Sequence, residues 1–144
     1  MSRYAKAHAK PNGPSDARLT ALQIINDEGV KGKLKGEVIV ITGTSSSISI
    51  ETTRALAMTG ATLFLTARDA ALSSVRAAAA AILTKTSKIH LLFSTNYLSH
   101  FLVYKLSEPA LLAAASPDLP SRVVSLASSA HNVHRINNPD NYDF

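Results

Sequence analysis

Apolar positions along the chain alternate between short β-branched runs and helix-length segments. Residues 38–41 form the first run, a helical stretch follows at 48–59, and Gly60 separates it from a second run at 62–66. A strand, a helix and a strand in this order constitute a β-α-β unit, with parallel strands and a right-handed crossover. The first strand then leads into a helix N-terminus, where free N–H groups and the helix dipole favour an anion such as a pyrophosphate.

The same alternation continues beyond this unit. The further predicted elements are helices over 69–83 and 95–114 and strands over 89–93 and 122–127. Pro109 is expected to kink or restart the second of these helices. Its apolar face is assigned to Leu98, Phe101, Leu102 and Leu106. We therefore predict an α/β, Rossmann-like three-layer fold, an incomplete doubly wound parallel sheet of about four strands in the order 2-1-3-4.

The first 35 residues differ from the remainder. Residues 1–15 have no apolar periodicity and predict a mobile arm. A short helix is predicted from Asp16, as its cap, to Asp27, with Gly29 ending it. The pattern divides the chain into an N-terminal arm with a short helix, 1–35, and a partial Rossmann-like domain, 36–144.

The composition and charge of the chain limit the classes of function that it can have. The chain has 144 residues, 46% of them hydrophobic, and no Cys, which fits one small globular domain in the cytoplasm. Of the net charge of +5, +4 falls in residues 1–35, which carry seven basic and three acidic residues. These charges lack aromatic interleaving, so no nucleic-acid partner is expected. No apolar run approaches the ~20 residues of a transmembrane segment, and the histidines show no metal-ligand spacing.

Four stretches carry a resemblance to a known family. They are residues 42–50, with Thr-Gly at their start, 60–68, ending in Arg, 93–102, which contain Asn96, and 121–131, which contain Ser128. Together they resemble the short-chain dehydrogenase/reductase family, nearest its retinol-dehydrogenase-like and WW-domain-oxidoreductase-like members. In that family they correspond to the glycine-rich turn, the second strand, an Asn-bearing helix and a Ser-bearing strand.

The resemblance implies a set of cofactor and catalytic residues. The cofactor set is Gly43, Ser45, Ser46, Ser47, Ile48, Arg68 and Asp69. Arg68 stands where NADP-preferring members hold the adenosine 2′-phosphate, a contact suited to a guanidinium. Asn96 would position a proton-relay water, and Ser128 would orient the substrate oxygen, with Ser129 as the alternative in a shifted alignment.

The glycine-rich turn departs from the family pattern. Gly43 is retained, whereas Ser47 and Ser49 occupy the other two glycine positions of Thr-Gly-x-x-x-Gly-x-Gly. Glycines there permit positive φ, close approach of the backbone to phosphates and tight packing of the helix on the strand. The substitutions predict that NADP binding is weak or lost.

Other parts of the family pattern are missing. Asp69 leads almost directly into a segment that follows the third strand in the family, and no Asn-Asn-Ala-Gly follows the run at 89–93. The sequence also contains no Tyr-x-x-x-Lys, the family's catalytic signature, so the chain is interpreted as internally shortened and truncated before that motif. Tyr142 is followed only by Asp143 and Phe144, so it has no Lys four residues later.

The resemblance implies NADP(H)-dependent carbonyl/alcohol oxidoreduction on a small substrate, with little or no activity in this chain. Two alternatives stay open. One is a non-catalytic module that binds a nicotinamide dinucleotide or pairs with a homologue. The other is a degraded fragment without function.

Overall fold

A computed structural model describes residues 4–10, 12–13, 18–44, 47–66, 72–95 and 98–126. The elements in chain order are α1 Ala5–His8, α2 Ala21–Asp27, β1 Val38–Ile41, α3 Ser47–Ala57, β2 Thr62–Leu65, α4 Leu72–Leu83, β3 Leu91–Thr95, α5 Leu98–Ala114 and β4 Arg122–Leu126. Among these residues, no helix combines the length and apolar character needed to cross a bilayer.

The described strands form one four-stranded sheet in the order β2-β1-β3-β4, and every neighbouring pair is parallel. The predicted strand order and parallel orientation are therefore confirmed. β1 lies between β2 and β3, with Ile39 opposite Leu63 on one side and Leu91 on the other. Because helices cover both faces of this strand, β1 is a continuous apolar run rather than an alternating one.

Helices pack on both faces of the sheet and give the predicted three layers. On one face, α4 and α5 pack against each other and enclose Val40 and Leu92 in the main apolar core. The side chains of that core contributed by the two helices are Val75, Ile82, Val103, Ala110 and Leu111. On the opposite face, α2 packs against α3.

The helix predicted over residues 16–27 corresponds to α2, which begins later than predicted. α2 starts at Ala21, and its cap is Thr20, not Asp16, which lies outside the described residues. Thr20 and Gln23 form a capping box, in which the Thr20 Oγ1 accepts from the Gln23 N–H and the Gln23 Oε1 accepts from the Thr20 N–H. These two bonds satisfy backbone N–H groups at the start of the helix.

Gly29 ends α2 as predicted. Its φ is +61°, in the left-handed region that favours glycine. The Gly29 N–H donates to the Asn26 carbonyl, and the Val30 N–H donates to the Ile25 carbonyl. This pair of bonds is a Schellman motif, which satisfies the last carbonyls of the helix.

The arm predicted over 1–15 contains one helical turn, α1. Next to it, the Tyr4 hydroxyl donates to the Glu28 carboxylate at 2.8 Å. Glu28 immediately follows α2, so this contact joins the arm to the end of that helix.

β3 is shifted by two residues from its prediction and covers 91–95 rather than 89–93. The Ile89 N–H donates to the Ala110 carbonyl of α5 at 3.0 Å instead of to a strand. Ile89 is completely buried. It therefore belongs to the core because it packs against a helix. Its apolar character alone could not distinguish this position from a position in a strand.

The apolar face of α5 agrees only in part with the predicted one, since Leu102 packs against the main apolar core. Phe101 is 64% exposed, and the buried positions are Val103, Ser107, Ala110 and Leu111. α5 also continues through Pro109 without a break, so the predicted restart is wrong. Pro109 lies on the exposed side of the helix, where water can satisfy the carbonyl that lacks its N–H partner.

A histidine joins the starts of β1 and β3. The His90 Nδ1 accepts from the Val38 N–H at 3.0 Å, and the His90 Nε2 lies 3.1 Å from the Glu37 Oε2. Because Nδ1 is an acceptor, the proton of the neutral imidazole is on Nε2 and faces the carboxylate. The Nδ1 lone pair is thus used by the Val38 N–H and is not available for general-base catalysis.

Replacing His90 by Phe is expected to destabilise the fold, because the Val38 N–H would lose its acceptor at the start of the central strand. An unsatisfied buried donor costs about 1–3 kcal/mol, which urea unfolding can measure. His90→Gln keeps an acceptor and should lose less. Equal stability of the Phe variant and the unmodified chain would contradict this role.

Candidate functional site: the carboxyl edge of the sheet

The carboxyl ends of the four parallel strands meet at one edge of the sheet. Thr42 and Gly43 follow β1 there, and α3 begins at Ser47. Gly43 has φ +69°, so the retained glycine serves a left-handed backbone position. α3 is thus the first helix after the central strand, and the carboxyl ends of such strands are where α/β sheets bind anionic ligands.

Threonines fix the geometry of this turn. The N–H and hydroxyl of Thr44 both donate to the Thr66 carbonyl, at 3.0 and 3.1 Å. The Thr66 N–H in turn donates to the Ile41 carbonyl, and the Thr42 N–H to the Phe93 carbonyl. The turn is therefore bonded to the residue after β2 and to β3. Sequence reasoning missed Thr44, although hydroxyl residues commonly stabilise turns in this way.

Ser49 occupies one of the two positions at which serine stands in place of a glycine of the family pattern, and the structure shows the surroundings of its side chain. Its side chain is completely buried, and its Oγ has no hydrogen-bond partner. An enclosed hydroxyl cannot donate to a phosphate, so it does not offset the loss of glycine. Thr53, one turn further along α3, also has a buried Oγ1 without a partner. The inner face of α3 therefore carries two unsatisfied hydroxyls.

Replacing Ser49 by Ala is expected to stabilise the chain, because it removes a buried polar group without adding volume. Relief of an unsatisfied group amounts to about 1–3 kcal/mol, measured as a shift in the unfolding midpoint. Ser73→Ala, on the exposed surface of α4, is the control for the higher helix propensity of Ala. A gain at Ser49 no larger than at Ser73 would show that the hydroxyl is satisfied in solution.

Another buried hydroxyl lies at the same edge. Ser94 in β3 is 2% exposed, its Oγ has no partner, and it pairs in register with Ser125 of β4. This position precedes the predicted relay residue Asn96 by two. β3 ends at Thr95 and α5 begins at Leu98, so only two residues separate the strand from the helix.

The predicted site residues fall partly within the described chain. Gly43 is described fully, and Ser47 and Ile48 are the first two residues of α3, of which only the backbone is described. The others lie outside the described residues: Ser45, Ser46, Arg68, Asp69, Asn96, Ser128, Ser129 and Tyr142.

A contact between Tyr104 and Lys105 lies away from this edge, on α5. The Lys105 Nζ is 5.8 Å from the Tyr104 ring centroid, and both side chains bind the carboxylate of Glu108. The hydrogen bond from Lys105, followed by that from Tyr104, lowers the pKa of Glu108. Because the Tyr104 hydroxyl is engaged by Glu108, this pair does not substitute for a Tyr-x-x-x-Lys proton donor.

Comparison with known proteins identifies relatives that align with most of this chain. No protein-family profile matches the chain. The short-chain dehydrogenase/reductase prx1 of Penicillium roqueforti is 32% identical over 93% of this chain and 53% of its own length. The oxidoreductase calI of Penicillium decumbens is 30% identical over 99% of this chain and 56% of its own length. Mouse retinol dehydrogenase 12 is 28% identical over 72% of this chain and 47% of its own length.

The alignments also show internal shortening. The alignment with calI spans 195 positions, whereas this chain has 144 residues, so about fifty positions of that relative face gaps. The predicted absence of segments inside the Rossmann-like part agrees with this difference. The chain spans about half the length of the curated relatives it matches. The parallel sheet order, the retained Thr-Gly turn and these relatives together place the chain in the short-chain dehydrogenase/reductase family.

Proposed function

We propose that this chain is the dinucleotide-binding part of an NADP(H)-dependent carbonyl/alcohol oxidoreductase fold, with weak cofactor affinity and little or no turnover by itself. The observation that carries the proposal is the β1–Gly43–α3–β2 unit, which directs a helix N-terminus at the carboxyl end of the central strand. Relatives named as dehydrogenases and oxidoreductases, 28–32% identical, support it.

In this proposal the cofactor lies across the ends of β1 and β2. The turn residues Gly43, Ser45, Ser46, Ser47 and Ile48 would hold the pyrophosphate at the start of α3. Leu65 ends β2 and pairs with Ile41, the last residue of β1. Arg68 and Asp69 follow within four residues of Leu65, which supports their assignment to the adenosine ribose and its 2′-phosphate.

The catalytic assignment uses the neighbouring strand ends. Thr95 of β3 pairs in register with Leu126 of β4. Asn96 follows the first by one residue and Ser128 follows the second by two, which supports a common location at this edge. A bound nicotinamide would supply hydride to a carbonyl, Ser128 would orient the carbonyl oxygen, and Asn96 would hold a relay water. No residue of this chain is assigned as the general acid.

Residual binding is expected to favour NADPH over NADH, and Arg68→Ala is expected to remove that preference. A lost charge-assisted hydrogen bond corresponds to roughly 1.5–3 kcal/mol, or about ten- to hundred-fold in NADPH affinity. Calorimetric titration of both cofactors measures the ratio. Arg76→Ala on the exposed side of α4 removes the same charge elsewhere and should leave the ratio unchanged. Equal affinity for both cofactors in the unmodified chain would refute the Arg68 assignment.

A further inference from the structure

The outer side of α5 carries the two most exposed large apolar side chains of the described residues. Phe101 is 64% exposed and Leu112 is 72% exposed. Leu112 follows Phe101 by about three helical turns, so both side chains leave the helix on the same side. The buried side chains of α5, such as Val103 and Ala110, lie on the other side and contact the core. The outer side of α5 therefore exposes one large apolar group near each of its ends.

An ion pair lies between these two apolar residues. The Lys105 Nζ donates to the Glu108 Oε2, and the two side chains are 49% and 35% exposed. Because the four residues follow one another at spacings of three or four, they lie along one side of the helix. An ammonium has three donors and a carboxylate accepts at several positions, so each group can also bind a partner from outside the helix. We call these residues the α5 stripe: Phe101, Lys105, Glu108 and Leu112.

The order of residues in the α5 stripe is self-complementary. Phe101 and Leu112 are equally distant from the midpoint of the stripe, and so are Lys105 and Glu108. A two-fold axis through this midpoint sets the α5 helices of two copies antiparallel. Phe101 then faces the partner's Leu112, and Lys105 faces the partner's Glu108. A surface with charge of one sign would match only part of the stripe, which favours a second copy of this chain as the partner.

We infer that α5 is the contact surface of a homodimer, in which two α5 stripes pack antiparallel about a two-fold axis. At its centre the charges alternate, because each Glu108 lies between its own Lys105 and the partner's Lys105. Removal of Phe101 and Leu112 from water supplies the attraction, and the charges fix the register and orientation. One helix per copy covers less than the roughly 800 Å² per partner of a standard interface. We therefore expect a dimer that dissociates on dilution in the micromolar range.

The test is sedimentation equilibrium of the full 144-residue chain over a range of concentrations. Lys105→Glu makes both charges of the stripe negative and Glu108→Lys makes both positive, so like charges face each other in the dimer. We expect each single variant to raise the dissociation constant about tenfold. The two substitutions combined restore the alternation of charge and should return the dissociation constant close to that of the unmodified chain.

Mixing the two single variants is the most specific test. Lys105→Glu chains carry two acidic groups in the stripe and Glu108→Lys chains carry two basic groups. Each variant should therefore pair with the other more tightly than with itself. The control is Arg54→Glu, which reverses one charge of the exposed Glu51–Arg54 pair on α3. Because α3 lies on the opposite face of the sheet, this variant should leave the dissociation constant unchanged.

The apolar ends of the stripe are tested by Phe101→Ser, which should weaken the dimer about tenfold. Leu22→Ser removes a 47% exposed apolar side chain from α2 and should have no effect. Circular dichroism checks that every variant is folded. The inference is overturned if the unmodified chain stays monomeric at millimolar concentration, if the single charge reversals leave the dimer intact, or if their mixture stays monomeric. No residue of the stripe belongs to the proposed cofactor site, so NADPH binding is tested independently of the dimer.

Discussion

The purified chain is expected not to reduce carbonyls with NADPH, and restoring the glycine-rich turn alone is not expected to change this. The chemistry needs a positioned cofactor, a polarised carbonyl and a proton donor of matched pKa at one point. In the proposed site, Ser128 would contribute only to the polarisation. A missing general acid removes a contribution of ~10²–10⁴-fold, and poor positioning of the reactants adds to that loss.

The rate of NADPH oxidation in the presence of retinal-like and short aldehydes measures whether the chain reduces carbonyls. Ser128→Ala is the control, because it removes the proposed substrate contact while leaving the described strands intact. Turnover that disappears in Ser128→Ala would demonstrate a working site and refute the inactive interpretation. Turnover that persists in this variant would instead indicate a contaminating enzyme.

The second large effect is expected in cofactor affinity. Ser47→Gly combined with Ser49→Gly should strengthen NADPH binding, because both positions then allow the backbone to approach the phosphates. Recovery of one charge-assisted hydrogen bond of roughly 1.5–3 kcal/mol corresponds to about ten- to hundred-fold. The burial of Ser49 is the reason for expecting a gain there, since its hydroxyl is enclosed and cannot reach a ligand.

Ser49→Ala distinguishes two possible causes of weak NADPH binding, the hydroxyl and the Cβ of the Ser49 side chain. Ser49→Ala removes the hydroxyl and keeps the Cβ, so it should stabilise the chain without strengthening NADPH binding. Each glycine in a helix costs about 0.5–1 kcal/mol relative to Ala, so affinities must be measured well below the unfolding midpoint. Tight binding by the unmodified chain, or no gain in the double variant, would contradict this account.

The sheet could be predicted from the sequence because its signals are local and agree with one another. Each strand is a short apolar run, each crossover has the length of one helix, and right-handed connections leave few possible orders. The start of α2 was missed because Asp16 and Thr20 are both good caps. Gln23, three residues after Thr20, identifies the capping box and could have decided between them.

The orientation of α5 could not be predicted in the same way. Apolar residues occur around much of its circumference, so Leu98, Phe101, Leu102 and Leu106 describe one possible face and Val103, Ala110 and Leu111 another. In the folded chain Val103, Ala110 and Leu111 are buried, Leu102 packs beside them, and Phe101 is exposed. The proposed catalytic residues Asn96 and Ser128 have a related difficulty, since the family resemblance suggests them singly and the sheet order is needed to make their strand ends neighbours.

The two-residue connection between β3 and α5 affects how long a ligand could stay at the carboxyl edge. Strand-to-helix connections commonly have two to six residues, so this one is at the short limit and is too short to fold over a bound molecule. A dinucleotide held mainly by the turn after β1 would therefore gain little cover from this connection. Its residence time would then be short, and equilibrium titration would detect binding that a method with washing steps would miss.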